Sequence, residues 1–432
     1  MRLIEMIADE SNFEMAKERV KSNKGAPGID NMTVYEIEAY FAKYGQVILE
    51  EVDKGTYRPK PVKRVHIPKS GGGQRPLGIP TVVDRVVQQA IAQQLSRIYD
   101  SNFSEYSYGF RPNRSAHQAM EQVLEYLNDG YEWVIDMDIE KYFDTVNHDK
   151  LISTLREQVK DRETLRLIRA FLKSGVLEGG LISQSQIGVP QGGPLSPVLS
   201  NIYLDKLDKE LESRGLHFVR CADDANIFVK SEMAANRVMK SISSWIERKL
   251  FLKVNMTKTK VVRPTKSQFL GFTFWKNPKG WQCKPSNVSK MRLYTKAKEI
   301  LKRKQAVSRP LASTFTRLNQ LIRGWINYYR IGSMKGYLDT FGQWLRHKIR
   351  VIIIKQWKMP KRIYKNLQQL CRIQRIRFTH EEIYKVANTR LGWYRRCGMN
   401  VVNFILSPKI LAVKKKDRPG LVNPLNYYLS KS

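Results

Sequence analysis

The chain has 432 residues, 42% of them apolar, with 75 Lys and Arg against 40 Asp and Glu for a net charge of +35. That length implies two or three domains, and the apolar share excludes a disordered chain. The charge is lopsided: residues 1–260 hold 37 basic and 35 acidic side chains, whereas 261–432 hold 38 basic and 5 acidic. The second part also carries Trp325, Tyr328, Tyr329, Trp344, Trp357, Trp393 and Tyr394, and basic plus aromatic is the composition of a surface that neutralises phosphates and stacks on bases. No run of about 18 apolar residues predicts a membrane span, and MRLIEMIADE lacks the apolar run of a signal peptide. Cys221, Cys283, Cys371 and Cys397 form no C-x-x-C pair, and the six histidines are scattered. A structural zinc site is therefore not expected, and reduced thiols in a cytosolic protein are.

Residues 1–60 read as helical, interrupted by the loop Asn23-Lys24-Gly25-Ala26-Pro27-Gly28. Residues 63–68 alternate as a strand, Lys69 to Gly73 make a turn, and Arg75 to Ile79 resume extended, which predicts a hairpin with a basic residue on each arm. Val83, Val86, Val87, Ala90, Ile91, Leu95 and Ile98 recur at helical spacing over 82–98. Ser115 is a plausible N-cap for a helix whose face carries Ala116, Ala119, Met120, Val123 and Leu127. A strand is expected at 132–139, helices over 149–173, a Gly/Pro/Gln loop at 188–194 and a helix at 195–214. Strands at 217–221 and 225–230 flank Ala222-Asp223-Asp224, and a helix covers 232–250. This is an α+β arrangement, with helices on one side of a small antiparallel sheet. After Gly271 the pattern reads as helical and basic to the end.

Two acidic sites interrupt apolar strands: Val134-Ile135-Asp136-Met137-Asp138 and Phe218-Val219-Arg220-Cys221-Ala222-Asp223-Asp224. Acids at strand ends are costly to bury without a partner. A hard divalent cation is the usual one, since Mg²⁺ takes carboxylate oxygens together with phosphates. Two such ions roughly 4 Å apart can activate a 3′-hydroxyl and stabilise a leaving pyrophosphate. A lone Asp-Asp is more often simply a turn; the order of the surrounding blocks changes that balance.

Those blocks resemble a reverse transcriptase, specifically a bacterial group II intron-encoded protein. Asn23 to Asp30 is similar to the N-terminal extension loop. Ile67-Pro68-Lys69 and Arg75-Pro76-Leu77-Gly78-Ile79-Pro80 resemble the fingers hairpin, and Tyr108-Gly109-Phe110-Arg111-Pro112 the next block. Asp138-Ile139-Glu140-Lys141-Tyr142-Phe143-Asp144 looks like the palm's first metal motif. Pro190-Gln191-Gly192-Gly193-Pro194-Leu195-Ser196-Pro197 resembles the P-Q-G motif. Leu252-Lys253-Val254-Asn255 and Phe269-Leu270-Gly271-Phe272 resemble the last palm motifs. Asn319 to Tyr329 looks like the thumb, or maturase domain X.

The resemblance implies a right-hand polymerase: N-terminal extension, fingers and palm over 1–275, thumb and domain X over 276–390, and a basic tail over 391–432 that is a candidate DNA-binding region. It implies that Asp138, Asp223 and Asp224 hold two Mg²⁺ ions, or Mn²⁺ in their place. Ile139, beside Asp138, is assigned to both metal and nucleotide. Lys69 and Arg75 would grip the incoming triphosphate and balance its developing charge. Phe143 would be the aromatic gate that collides with a ribose 2′-hydroxyl, its plain alternative being core packing. Gln191 would contact nucleotide or template, beside glycines that let backbone approach closely. Arg111 would contact the template. Asp136 shares a strand face with Asp138 by period two and reads as a supporting acid. Cys221 stands where the family has an aromatic, which bears on fidelity, processivity and redox sensitivity. The Cys/His clusters of a C-terminal nuclease are absent, as in the compact class that uses existing 3′ ends.

In the basic part, Leu318, Leu321, Ile322 and Trp325 have helical spacing and read as core, while Arg317, Arg323 and Arg330 are candidates for phosphate contacts. Lys414-Lys415-Lys416 reads equally as a solvated run or a phosphate contact. The implied activity is RNA-directed DNA polymerisation, with binding of the parent group II intron RNA to assist splicing and target-primed reverse transcription. The implied partners are that intron, an RNA template, a DNA primer or target and deoxynucleoside triphosphates, in the bacterial cytoplasm and on the nucleoid when acting on DNA. Two alternatives stay open: a catalytically decayed RNA-binding splicing factor, and a free-standing reverse transcriptase recruited to defence or repair. The intact acids with Lys69, Arg75 and Gln191 argue against decay. A simple basic DNA-binding module has no need of them.

Overall fold

The computed structural model describes residues 2–68, 72–183, 187–414 and 418–431, and the chain divides into two units, Met1–Ser267 and Gln268–Ser432. At the centre of the first unit is an antiparallel sheet in the order His217–Cys221, Asp224–Val229, Trp133–Met137, Lys260–Val262. Successive strand residues point to opposite faces, and Val134 and Ile135 are both fully buried. Both faces of the sheet are therefore covered, where helices on one side were expected. The helix Glu232–Trp245 packs on three of the strands, and the helices Ala116–Asn128 and Leu195–Ser213 pack on His217–Cys221.

The helix Val82–Tyr99 is buried on nearly every side, with Val82, Val86, Val87, Ala90, Ile91 and Leu95 wholly inside. Truncating one such Leu or Ile to Ala costs about 2–5 kcal/mol, because the cavity left behind closes only in part. Its first turn holds a buried acid: burial pushes the Asp84 carboxyl up, and three donors partly offset this, the Thr81 hydroxyl (2.6 Å), the Tyr57 hydroxyl (2.8 Å) and the Lys60 N–H (3.2 Å). Ser115 caps its helix as expected, accepting from the Gln118 N–H.

The expected hairpin forms from Val62–Pro68 and Gln74–Ile79. It belongs to a four-stranded sheet in which Val62–Pro68 runs parallel to Val176–Glu178, itself paired with Leu181–Ser183. That second hairpin turns at Gly179 and Gly180, both left-handed, with φ of +58° and +87°, a conformation glycine adopts without strain.

The second unit corrects the expectation of helix directly after Gly271. A three-stranded antiparallel sheet of Gln268–Phe269, Phe272–Asn277 and Gly280–Pro285 comes first. Phe272 and Phe274 are buried while Thr273 and Trp275 are half-exposed, the period of two that a strand requires. Helices then follow, the longest being Leu311–Tyr329 and Lys335–Trp357. Leu318 and Ile322 are buried and Leu321 and Trp325 half-buried, in keeping with a core role. Asn319 ties the C-terminal stretch to this helix, donating to Gly420 O (2.7 Å) and accepting from the Val422 N–H (2.9 Å).

Candidate active site

The three acids meet because of strand register. Trp133–Met137 pairs with Asp224–Val229 through Met137↔Ala225, which brings Asp138 and Asp224 to the same end of the sheet. Cys221 pairs with Asp224 across a tight turn that carries Ala222 and Asp223. Ala222 is left-handed, with φ +60°, a cost for a residue with a Cβ. Two contacts hold it there. The buried Arg220 donates to Ala222 O (2.9 Å), and Gly109 lies so close to the Ala222 backbone that any side chain would collide with it. The Tyr108-Gly109 block is thus a buttress for the Asp-Asp turn.

The backbone after the central strand is clamped by a distant segment. The Asp138 N–H donates to Thr259 Oγ1 (3.1 Å) and its carbonyl accepts from the Asn255 N–H (2.8 Å). Ile139 bridges to Val254, and the Glu140 N–H donates to Lys253 O. Lys258 Nζ lies 3.2 Å from Asp138 Oδ2. Asp224 keeps one side open to solvent, yet its carboxyl is pushed up to about 6. Desolvation is the main cause and the charges of Asp223 and Asp138 add to it, while Lys258 and Arg75 oppose it. Asp136 is turned to other work: it accepts from Ser267 Oγ (2.6 Å) and Asn226 Nδ2 (2.9 Å), with Lys260 at 3.8 Å. Burial raises its carboxyl to about 6 against those donors.

Arg75 and Gln191 come together, Arg75 Nε donating to Gln191 Oε1 at 3.0 Å. The Gly78 N–H donates to Gln191 O (2.7 Å), and Gly192, at φ +123°, lies against Gly78 O where a Cβ would not fit. Gly192 therefore lets the loop lie close against Gln74–Ile79, and Gly193 gives the same room to the Gln88 side chain of the helix Val82–Tyr99. Phe143 is half-buried, packs edge-on against Tyr142 at 5.1 Å, and its carbonyl accepts from the Val189 N–H. Lys69, Lys415 and Lys416 lie outside the described residues. The Cys221 thiol is pushed up to about 11 by burial and by Asp224, so it stays protonated and weakly reactive.

Arg111 is a correction. Its side chain is 5% exposed, and its guanidinium donates to Asp100 Oδ1 (2.7 Å), Asp100 O (2.8 Å), Ser104 O (2.6 Å) and Ser107 O (3.0 Å). These bonds fix the 100–107 loop, and the group is not presented to a template. Arg317, Arg323 and Arg330, in the second unit, are exposed. Missed by sequence reasoning was the ion pair behind the Asp-Asp turn. Arg220 and Asp208 are 1% and 0% exposed and meet at 2.7 and 2.5 Å, with Asn201 and Ser107 completing the guanidinium's bonds. An arginine inside an apolar strand was the signal that such a partner exists.

The donor set suits a hard cation: anionic oxygens whose mutual crowding a positive charge relieves. It is not a finished cage, since among the described residues no three His, Cys, Asp or Glu stand in a metal-holding arrangement. Mg²⁺ in polymerase-type sites is bound by one or two carboxylates with substrate phosphates, so an incompletely gathered set fits that chemistry. Among the described residues no helix is long and apolar enough to cross a membrane.

Residues 67–274 match the family model described as reverse transcriptase (RNA-dependent DNA polymerase), and residues 290–371 match the group II intron, maturase-specific domain. The chain is 35% identical to protein YkfC of Escherichia coli K12, over 60% of this chain and 79% of that one. It is 38% identical to the group II intron-encoded protein LtrA of Lactococcus lactis subsp. cremoris, over 46% of this chain and 33% of LtrA. It is 33% identical to the COX1/OXI3 intron 2 protein of Saccharomyces cerevisiae, over 61% of this chain and 30% of that one. The matched part is thus about a third of the two intron-encoded relatives' length.

Proposed function

The chain belongs to the group II intron reverse transcriptase and maturase family, and from that premise we propose that it copies RNA into DNA at Asp138, Asp223 and Asp224. The observation that carries the reading is that strand register brings Asp138 to the end of the central sheet where the turn carries Asp223 and Asp224, with the charges of Asp138, Asp223 and Arg75 all reaching Asp224. Two divalent cations held there with the substrate's phosphates would activate the primer 3′-hydroxyl and stabilise the leaving pyrophosphate. Arg75 supplies positive charge toward the triphosphate, and Gln191 fixes its guanidinium by accepting from Nε. Lys69 is assigned to the same triphosphate, Phe143 to exclusion of the ribose 2′-hydroxyl, and Ile139 to metal and nucleotide beside Asp138. Arg317, Arg323 and Arg330 are assigned to nucleic-acid phosphates.

The same reading includes binding of a parent intron RNA by the basic second unit, whose cations would lower repulsion between RNA helices and so assist splicing. Target-primed synthesis from a DNA 3′ end follows if both activities act on one RNA. The test of the polymerase is extension of a DNA primer on an RNA template with deoxynucleotides and Mg²⁺, beside Asp223→Ala. Full-length product that disappears in the variant supports the reading. Folded, RNA-binding protein that yields no product overturns it and leaves the splicing-factor alternative.

A further inference from the structure

We propose that the second unit holds a separate site for one unpaired nucleotide of a single-stranded nucleic acid. A cavity of about 320 Å³ opens among the helices Asn287–Ile300, Arg303–Ser308, Lys335–Trp357 and Trp393–Cys397. Its floor is aliphatic, from Leu301, Val351 and Ile352, and its walls include the rings of Trp344 and Tyr394. Lys298, Arg303 and Lys348 stand at its rim, and among the described residues no acidic side chain lines it.

Trp344 is set in place before any ligand arrives. Its ring meets Tyr294 edge-on at 4.9 Å and stacks near Phe341 at 5.7 Å, so little ordering cost remains to be met on binding. Tyr394 is 57% exposed, an unusual position for a large ring beside an apolar hollow. It is held by the His347 ring at 4.1 Å and by Lys348 Nζ at 4.9 Å over its face.

The combination selects the ligand. An apolar floor with aromatic walls suits a flat, weakly polar ring, and it would take a base by stacking. Three like charges around one hollow repel each other in the empty protein, and an anion relieves that repulsion. A base carrying its own phosphate satisfies both demands at once. A base inside a duplex cannot enter, because its faces are already stacked and its edge paired. The cavity shares no residue with the acids of the first unit, so it goes beyond the polymerase reading.

The experiment uses the full chain with single strands of equal length that carry 5-iodouridine in RNA or 5-iododeoxyuridine in DNA. Near-ultraviolet cross-linking is followed by peptide mapping. The expected adduct is on Tyr394 or Trp344, and the two strands distinguish an RNA site from a DNA site. Lys298→Gln/Arg303→Gln/Lys348→Gln, changed at exposed or half-exposed positions, is expected to lower the slope of log affinity against log salt by about 2, at about 0.7 per phosphate contact for single strands. Tyr394→Leu, with the cations kept, is expected to reduce about tenfold the preference for a base-bearing strand over an abasic one. Adducts confined to other peptides, or an adduct yield unchanged in the triple variant, would overturn the proposal. Primer extension on the same preparations keeps the two readings apart: an inactive chain that cross-links at Tyr394 loses only the polymerase, and an active chain without the adduct loses only this site.

Discussion

Among the described residues, Lys258 is the one cation in hydrogen-bond reach of Asp138, and its charge also acts on Asp224. Asp224 holds its proton up to about 6 rather than the ordinary 3.8, so its carboxylate is half-neutralised in mildly acid solution. The stability sign follows from linkage: between about 3.8 and 6 the folded chain binds a proton that the unfolded chain has released. This group's contribution therefore improves as pH falls through that window and is lost as pH rises through it. Activity runs the other way, because a protonated carboxyl cannot ligate a cation. Single-turnover extension at limiting Mg²⁺ should fall as pH drops through about 6. Lys258→Met should move that acid limb to higher pH, since Lys258 favours the ionised form; a limb that stays in place would remove Lys258 from the site's field. The aspartates were legible in the sequence because each ends an apolar run that should have continued. Lys258 was not, since it sits 120 residues from Asp138 in a stretch with no pattern of its own. Arg111 misled for the converse reason: the resemblance alone assigned it to a template, and the carbonyls that consume its guanidinium leave no mark in sequence.

The Asp-Asp turn is held by three elements at once: the strand His217–Cys221 through Arg220, the helix Leu195–Ser213 through Asp208 and Asn201, and the loop around Ser107 and Gly109. Removing one partner of a buried ion pair leaves a lone desolvated charge and costs about 3–5 kcal/mol, whereas replacing both by apolar groups is often neutral. Arg220→Met should therefore destabilise the chain by about that amount in urea unfolding, and Arg220→Met/Asp208→Leu should recover most of it. Primer extension should stay low in the double variant, because Ala222 O has lost its donor and the left-handed turn its anchor. Recovery of both stability and activity would reduce the pair to a packing role. At this scale the hairpin Phe272–Pro285 was also readable, since Asn277-Pro278-Lys279-Gly280 between two alternating runs is a turn signal. It was submerged by the long basic helical periodicity that follows. The pairing of Val62–Pro68 with Val176–Glu178 was not readable, because a parallel partner more than a hundred residues away is chosen by packing and not by local pattern.

The two units differ in charge far more than in size. Residues 1–267 carry 39 basic and 35 acidic side chains, and 268–432 carry 36 and 5. In the first unit many exposed cations already have partners: Lys21 meets Glu38, Lys54 meets Glu50 and Lys206 meets Glu157. A paired cation has little counterion to exchange with a phosphate. In the second unit 5 acids face 36 cations, so most of its positive charge has no carboxylate to offset it and can neutralise phosphates and release the condensed ions of a nucleic acid. The salt dependence of binding should therefore be written almost wholly in the second unit. Replacing Arg317, Arg323 and Arg330 by Gln should lower the slope of log affinity against log salt by about 2 for single-stranded RNA, at about 0.7 per phosphate contact. Replacing Lys21, Lys54 and Lys206 by Gln, an equal change in net charge, should leave that slope nearly unaltered. Fluorescence anisotropy of a labelled RNA at several salt concentrations measures both. Equal losses in the two triple variants would mean that net charge alone governs binding, and the division of labour between the units would have to be abandoned.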